Sequence, residues 1–387
     1  MTHTFLINHQ FYKLYVLCLA MTLPLHVFNL GGGDGLKPFH VPALASCLLS
    51  FKIIPKRGGL YRVTMLFLFF AFTSAVLSFS SSAFPYWLNT FIIITSCQGL
   101  AYVNPWKIMK WLLYVIPFVV LILFLHGISD ISYRYQGFYS DPNYLCTTLI
   151  AFLLALNLEY PQLSDFKWKW IIVSSLIMIY ALIIMTVSRT GMACGVLILL
   201  VMSFNAMRKH SLMLIIGVFL GLIALQNYAT DFVEQEWKLI YDRVFKASDD
   251  MENASDYRLE LSMQNIYFIK DNPEYFFFGL GGGTTVGTNA EQVPGLATYR
   301  TAPLGDHNSW TSTLSEQGLV CVTLFALFML LTLKNILRVE DRTRKYMMLT
   351  IFVSILIFSF SISQKNYLPF WWILFFLNNR TLRHKSI

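Results

Sequence analysis

Apolar residues run in stretches close to 20 positions long, separated by short polar or basic connections, from residue 12 to 228 and again from 317 to 379. That length suits a helix crossing a hydrocarbon core about 30 Å thick, which takes ~20 residues. Twelve membrane helices are predicted, over about 12–30, 39–55, 63–82, 85–103, 111–129, 143–158, 170–187, 191–207, 211–228, 317–334, 346–364 and 366–379. The second contains Pro42 and Lys52, and the last is short. Between the ninth and tenth the pattern changes to a polar stretch, 229–316, holding two pieces of helical periodicity. In the first, Val233, Trp237, Ile240 and Val244 share one face. The second follows the cap residues Ser255 and Asp256, carries Leu259, Met263 and Ile266, and stops at Asn272-Pro273. Both pieces are amphipathic, suited to lie on the bundle or at the bilayer surface. A glycine cluster from Gly279 to Gly283 and the triplet Asp306-His307-Asn308 complete the stretch. The chain therefore reads as an all-α polytopic membrane protein in three parts. Residues 1–228 carry nine membrane helices, 229–316 form one long, partly helical extracytoplasmic loop, and 317–387 carry three more helices and a short basic tail.

Composition agrees. Charged residues make up 13% of the chain and hydrophobic ones 56%, whereas a soluble domain carries about 25% charged. So few charges cannot cover a globular surface, which excludes a soluble enzyme, a disordered protein and a nucleic-acid binder. The net charge of +8 follows from topology. With the N-terminus inside, nineteen of the 29 lysines and arginines fall on the cytoplasmic side, as the positive-inside rule requires. Both termini are then cytoplasmic. The short outer connections hold only Lys37, Arg134, Arg189 and Lys365, and the other six basic residues lie in 229–316. Thirteen of the 21 acidic residues sit between Asp231 and Asp306. The first apolar run lacks a small-residue cleavage site and reads as a retained anchor. The six cysteines fall in six different apolar spans without CxxC spacing, so neither disulfides nor a zinc site is expected. Two related halves, expected of many secondary transporters, are not visible, which makes a polysaccharide-precursor transporter the less favoured class.

Basic residues on the outer side run against the charge bias and are the first candidates for chemistry. Arg134 precedes the Asp141-Pro142-Asn143 helix start, where it is either an anion contact or a snorkelling interfacial residue. Arg189, in the sequence SRTG, stands between two apolar spans, a costly place for a charge without a partner. Arg258 opens the second loop helix, where a cation opposes the helix dipole, and Arg300 lies in an otherwise uncharged stretch. His307, the one histidine in the long loop, suits proton transfer near neutrality or, alternatively, helix capping with Asp306 and Asn308. Glu316 is a competing base. The FGLGGGTTVG segment lacks a Walker lysine and the GxGxxG spacing, and reads as a close backbone turn toward a ligand or the bundle. Asp249 and Asp250 lie in a solvated charge run with no further ligands, so no metal is expected there.

Three segments together resemble the O-antigen polymerase and ligase family, the Wzy/WaaL-type membrane glycosyltransferases. They are RYQGFYSDPNYL, SRTG at a helix junction, and a late outer loop running from YRLELSMQNIYFIKDNP through FFFGLGGG to HNSWTSTLSEQGL. The resemblance covers roughly 130–335. It implies a GT-C-like glycosyltransferase in the bacterial inner membrane, with its active site facing the periplasm. Its substrates would be undecaprenyl-diphosphate-linked oligosaccharides, a chain-length regulator is a candidate partner, and neither metal nor nucleotide cofactor is implied. Arg134, Arg189 and Arg258 would hold the leaving diphosphate, with Asn143, Arg300 and Glu316 as further substrate contacts and His307 as base. Polymerase is the favoured reading, because GFYSDPN and FGLGGG look more like polymerases. Ligase, transferring glycan to lipid A core, is the alternative.

Overall fold

A computed structural model describes residues 9–28, 37–54, 58–78, 80–129, 135–139, 141–158, 169–206, 260, 262–285, 287–296 and 308–383. Among these residues there are helices and turns and no strand. The helices are α1 (His9–His26), α2 (His40–Ile53), α3 (Gly59–Leu77), α4 (Ala83–Gln98), α5 (Pro105–Ser129), α6 (Pro142–Leu158), α7 (Lys169–Met185), α8 (Arg189–Ala206), α9 (Ser309–Leu337), α10 (Arg342–Ser361) and α11 (Leu368–Leu377). Each coincides with one of the twelve predicted runs. The run at 211–228, the periodic piece at 233–244 and the Ser255-Asp256 cap lie outside the described residues.

α3, α5, α9 and α10 are long and apolar enough to cross a membrane, and α2, α6, α7, α8 and α11 are shorter apolar helices. Described residues that are helical throughout in this way belong to a polytopic membrane protein. α11 departs most from expectation. Its sequence LPFWWILFFL is apolar on every side, and every residue from Leu368 to Leu377 is buried in protein. Ten residues give a helix about 15 Å long, half the core of a bilayer. The last predicted run thus holds a short helix at the centre of the bundle, packed against α1, α4, α6, α9 and α10. Around it α3 lies on α9, α2 on α1 and α4, α5 on α1 and α7, and α10 on α8 and α9.

The bundle has two unlike ends. At one, the start of α5 meets the start of α1 through Lys107 over the Tyr12 ring, 4.7 Å from its centroid, and Arg380 lies 4.8 Å over Tyr102. The chain leaving α11 is anchored there by Asn379, whose amide donates to the carbonyls of Leu100 and Val103, and by Asn378, which bonds Thr332 and Asn335 of α9. Basic side chains collect at this end. At the other end lie the buried polar side chains of His26, Tyr139, Asn143, Ser188 and Tyr367, with Ser78 and Asn308.

The described part of the long loop has a small core of its own. A helix over 262–271 ends ahead of the Pro273–Tyr275 turn, as Asn272-Pro273 predicts. The buried face is not the expected one, however. Ser262, Asn265, Phe268 and Ile269 are buried while Met263 and Ile266 are half-buried. Phe268 and Ile269 turn away from the simple periodic stripe because they pack against Leu280, Val293 and Leu296 of the loop itself.

Candidate functional site

The polar end is organised by a break in α9. Gly318 has φ 82° and ψ 177°, so the helix stops and restarts inside Ser309–Leu337. A break frees backbone groups that must find partners away from water. The glycine loop supplies them. Leu280 N–H donates to Ser315 O (2.9 Å) and Gly281 N–H to Glu316 O (2.7 Å), while Leu319 N–H, released from Ser315, donates to Phe276 O (2.9 Å). Such contact needs two backbones to touch. A Cβ on Gly279 would lie 2.4 Å from Glu316 C, and one on Gly318 would lie 2.1 Å from Phe277 O. The Gly279–Gly283 cluster is therefore a close turn against the bundle, one of the two uses its composition allows. α3 and α4 close it from behind: Ser74 Oγ donates to Glu316 O, Ser78 Oγ to Leu280 O, and the Tyr86 ring lies under Gly282 and Gly283.

The break also places a charge. Glu316 is 1% exposed, and its carboxylate is directed inward. Oε2 accepts from Gly283 N–H (2.8 Å) and from Lys365 Nζ (2.6 Å). Oε1 accepts from Thr285 N–H (3.2 Å) and the Thr285 hydroxyl. Lys365, 2% exposed, also donates to Ser312 O (2.7 Å). Two charges this deep are stable only when paired and hydrogen-bonded, and here both conditions are met within one cluster.

Lys365 belongs to the connector Ser363–Asn366 between α10 and α11, which joins three further helices. Gln364 donates from its backbone N–H to Ser309 Oγ (2.8 Å) and from its side chain to Thr147 of α6 (2.6 Å). Asn366 Oδ1 accepts from Asn89 and Thr90 of α4, and Ser363 O accepts from the Tyr144 hydroxyl (2.9 Å). Beside it, hydroxyls run from His26 Nδ1 through Tyr139 and Thr148 to Tyr367, at 3.2, 3.0 and 2.7 Å. Apart from Lys365, noted only for its charge, sequence reasoning passed over these residues. The polar run SQKN between two apolar helices is the signal that marks them.

Of the predicted site residues, Asn143, Arg189 and Glu316 are described; Arg134, Arg258, Arg300 and His307 lie outside the described residues. Asn143, buried at the start of α6, accepts from the Ser188 hydroxyl through Oδ1, and Ser188 Oγ in turn accepts from Gly191 N–H (3.1 Å). The helix starts carrying Asn143 and Arg189 are thus joined. Thr190 adds a contact to Ser361 of α10 (3.2 Å). Replacing Asn143 with alanine removes the acceptor of a buried hydroxyl, a loss of about 1–3 kcal/mol. A lowered Tm of the detergent-solubilised protein is the expected result. Next to His307, Asn308 caps α9 by accepting from Trp310 N–H (2.8 Å) and Thr311 N–H (3.4 Å). The Thr311 hydroxyl donates to Ser262 (3.3 Å), bringing the start of α9 against the helix over 262–271.

Comparison with known proteins falls on the same region. Residues 173–326 match the model of a family described as O-antigen ligase, a span from α7 through the glycine loop to just past the Gly318 break. No curated protein matches the chain.

Proposed function

We propose, from the match of residues 173–326 to the family model described as O-antigen ligase, that this protein is an integral membrane glycosyltransferase. It moves a glycan from an undecaprenyl diphosphate carrier onto another lipid-linked repeat unit. The observation that carries the reading is the coincidence of two independent features. The family match spans the glycine loop and the broken helix, and buried polar chemistry gathers at that same end of the bundle. The end bearing Lys107, Lys334 and Arg380 faces the cytoplasm by the positive-inside rule, so the polar end faces the periplasm and the bundle sits in a bacterial inner membrane. No nucleotide sugar is available there, so the donor arrives already activated on its lipid.

In the reaction the bond between the anomeric carbon and the diphosphate oxygen breaks, and the acceptor hydroxyl oxygen bonds to that carbon. The electron pair leaves with the diphosphate, where Arg134, Arg189 and Arg258 stabilise the growing charge by charge-assisted hydrogen bonds. His307 takes the acceptor proton. Asn143 and Arg300 lie among the diphosphate or glycan contacts. Removing one arginine lowers the transfer rate by about 10²- to 10³-fold.

A ligase reading, transfer to lipid A core, is favoured by the description of the matching family. The polymerase reading is favoured by the GFYSDPN and FGLGGG segments. Deleting the gene separates them. A polymerase leaves single repeats attached to core and no long chains, whereas a ligase leaves core with no glycan at all.

A further inference from the structure

The Glu316–Lys365 pair does more than the fold requires. A membrane bundle gains little from a buried ion pair, since apolar residues of similar volume often serve as well. Ionisable residues retained at such depth therefore call for a functional account. The contacts of Glu316 give one. Its backbone O receives Gly281 N–H, while its side chain receives Gly283 N–H and both donors of Thr285. One residue thus grips the returning loop along its length, from Gly281 to Thr285. Lys365 holds the same carboxylate from the opposite side, and through Ser312 O it also holds the first half of α9. Gln364, its neighbour, fixes Ser309 at the helix start. The short helix Ser309–Gln317 is detached from the rest of α9 by Gly318, so its direction is set by these contacts and not by continuation of the helix.

We infer that Glu316 and Lys365 form a charge latch that clamps the Gly279–Thr285 loop to the broken helix and sets the position of the α9 start. They are positioning residues for the transfer reaction. The inference rests on the proposed function, in which the proton acceptor His307 immediately precedes that start. Their bonds run to the loop and to α9. Loosening the latch lets the helix start wander, and a displacement near 1 Å at a reacting group is enough to cost about 10²-fold in rate. Because glycan binding rests on other groups, the loss appears in kcat and not in KM.

The test uses the full-length protein in nanodiscs, with Glu316→Gln, Lys365→Met and the milder Thr285→Val, which removes only the hydroxyl donor to the carboxylate. Two quantities are read: amide hydrogen exchange over 279–285, and steady-state transfer from a lipid-linked oligosaccharide. The latch requires exchange over 279–285 to speed by about tenfold or more in Glu316→Gln and Lys365→Met, while peptides of α10 stay protected. It also requires kcat to fall by about 10- to 10²-fold with KM within about twofold. Thr285→Val should shift both readings in the same direction by a smaller factor, which covers the case in which a charge variant fails to fold. Unchanged exchange over 279–285 overturns the latch. A raised KM at constant kcat overturns it too, by making Glu316 a substrate contact. If the wild-type protein transfers no glycan, the proposed reaction and the positioning role fall together, while the exchange measurement still reports whether the clamp exists.

Discussion

Gly318→Ala is expected to abolish recovery of folded protein. Two costs add at this position. The backbone conformation, φ 82° and ψ 177°, belongs to a region open essentially to glycine, and strain of this kind costs about 1–3 kcal/mol. The added Cβ would also sit 2.1 Å from Phe277 O and 2.3 Å from Phe277 C. Those are backbone atoms and cannot rotate away, so the whole returning loop must withdraw. Withdrawal breaks the hydrogen bonds of Leu280, Gly281 and Leu319 and leaves Glu316 facing Lys365 without its loop donors. At about 0.5–1.5 kcal/mol per bond plus the penalty for buried groups left unmade, the total reaches a large part of a typical 5–15 kcal/mol. Gly279→Ala attacks the same interface from the other side, with a Cβ 2.4 Å from Glu316 C, and should behave alike. Gly195→Ala within α8 is the control. Its Cβ would meet Ile183 at an ordinary 3.5 Å, and alanine is the better helix former by roughly 0.5–1 kcal/mol. Size-exclusion profiles of fluorescently tagged variants should therefore show a sharp peak for Gly195→Ala and none for Gly318→Ala. A sharp peak with wild-type Tm for Gly318→Ala would refute the broken-helix interface.

Why the bundle was legible and the latch was not comes down to the range of the signals. Runs of apolar residues near helical length are local, and eleven of them coincide with helices. The start of α9 was placed too late, at 317 against Ser309, because SWTSTLSEQ is polar by composition. Its hydroxyls find acceptors, with Ser312 and Thr313 both donating to Ser309 O within the helix and Ser309 Oγ to Ile362 O beyond it, which hydropathy does not register. The predicted start instead falls beside the Gly318 break, where the apolar half begins. α11 shows a different gap, in surroundings and not in position. LPFWWILFFL has the composition of a lipid-facing helix, yet the bundle encloses it, and only the packing of five neighbours distinguishes the two. Glu316 and Lys365 lie far apart in sequence and in different helical contexts. Each could be noted for its charge, but no periodicity joins them, since their meeting depends on how α9, α10 and α11 converge. The glycine cluster was readable as a close turn; what it turns against was not.

His307→Ala is expected to reduce glycan transfer by about 10²- to 10⁴-fold with little change in Tm. The sequence allowed two roles for this histidine, proton acceptor or helix cap, and the structure separates their tests. The cap of α9 is Asn308, whose Oδ1 accepts from Trp310 and Thr311, and alanine there should cost about 0.5–2 kcal/mol of stability. A stability loss on Asn308→Ala beside an activity loss on His307→Ala would assign one role to each neighbour. Glu316, the competing base, has both carboxylate oxygens engaged by Gly283, Thr285 and Lys365, which leaves it poorly placed to accept a proton from an acceptor sugar. An imidazole base works only when neutral, so the wild-type rate should rise with pH through a midpoint near the usual histidine value of about 6.5. In His307→Ala that rise should vanish along with most of the rate. Transfer by His307→Ala at the wild-type rate would remove the acid–base role. A surviving pH midpoint in a slow variant would move the role to another group. The variant protein must first be shown to elute and melt like wild type, since only then does a lost rate report on chemistry at the start of α9 and not on the interface that holds it.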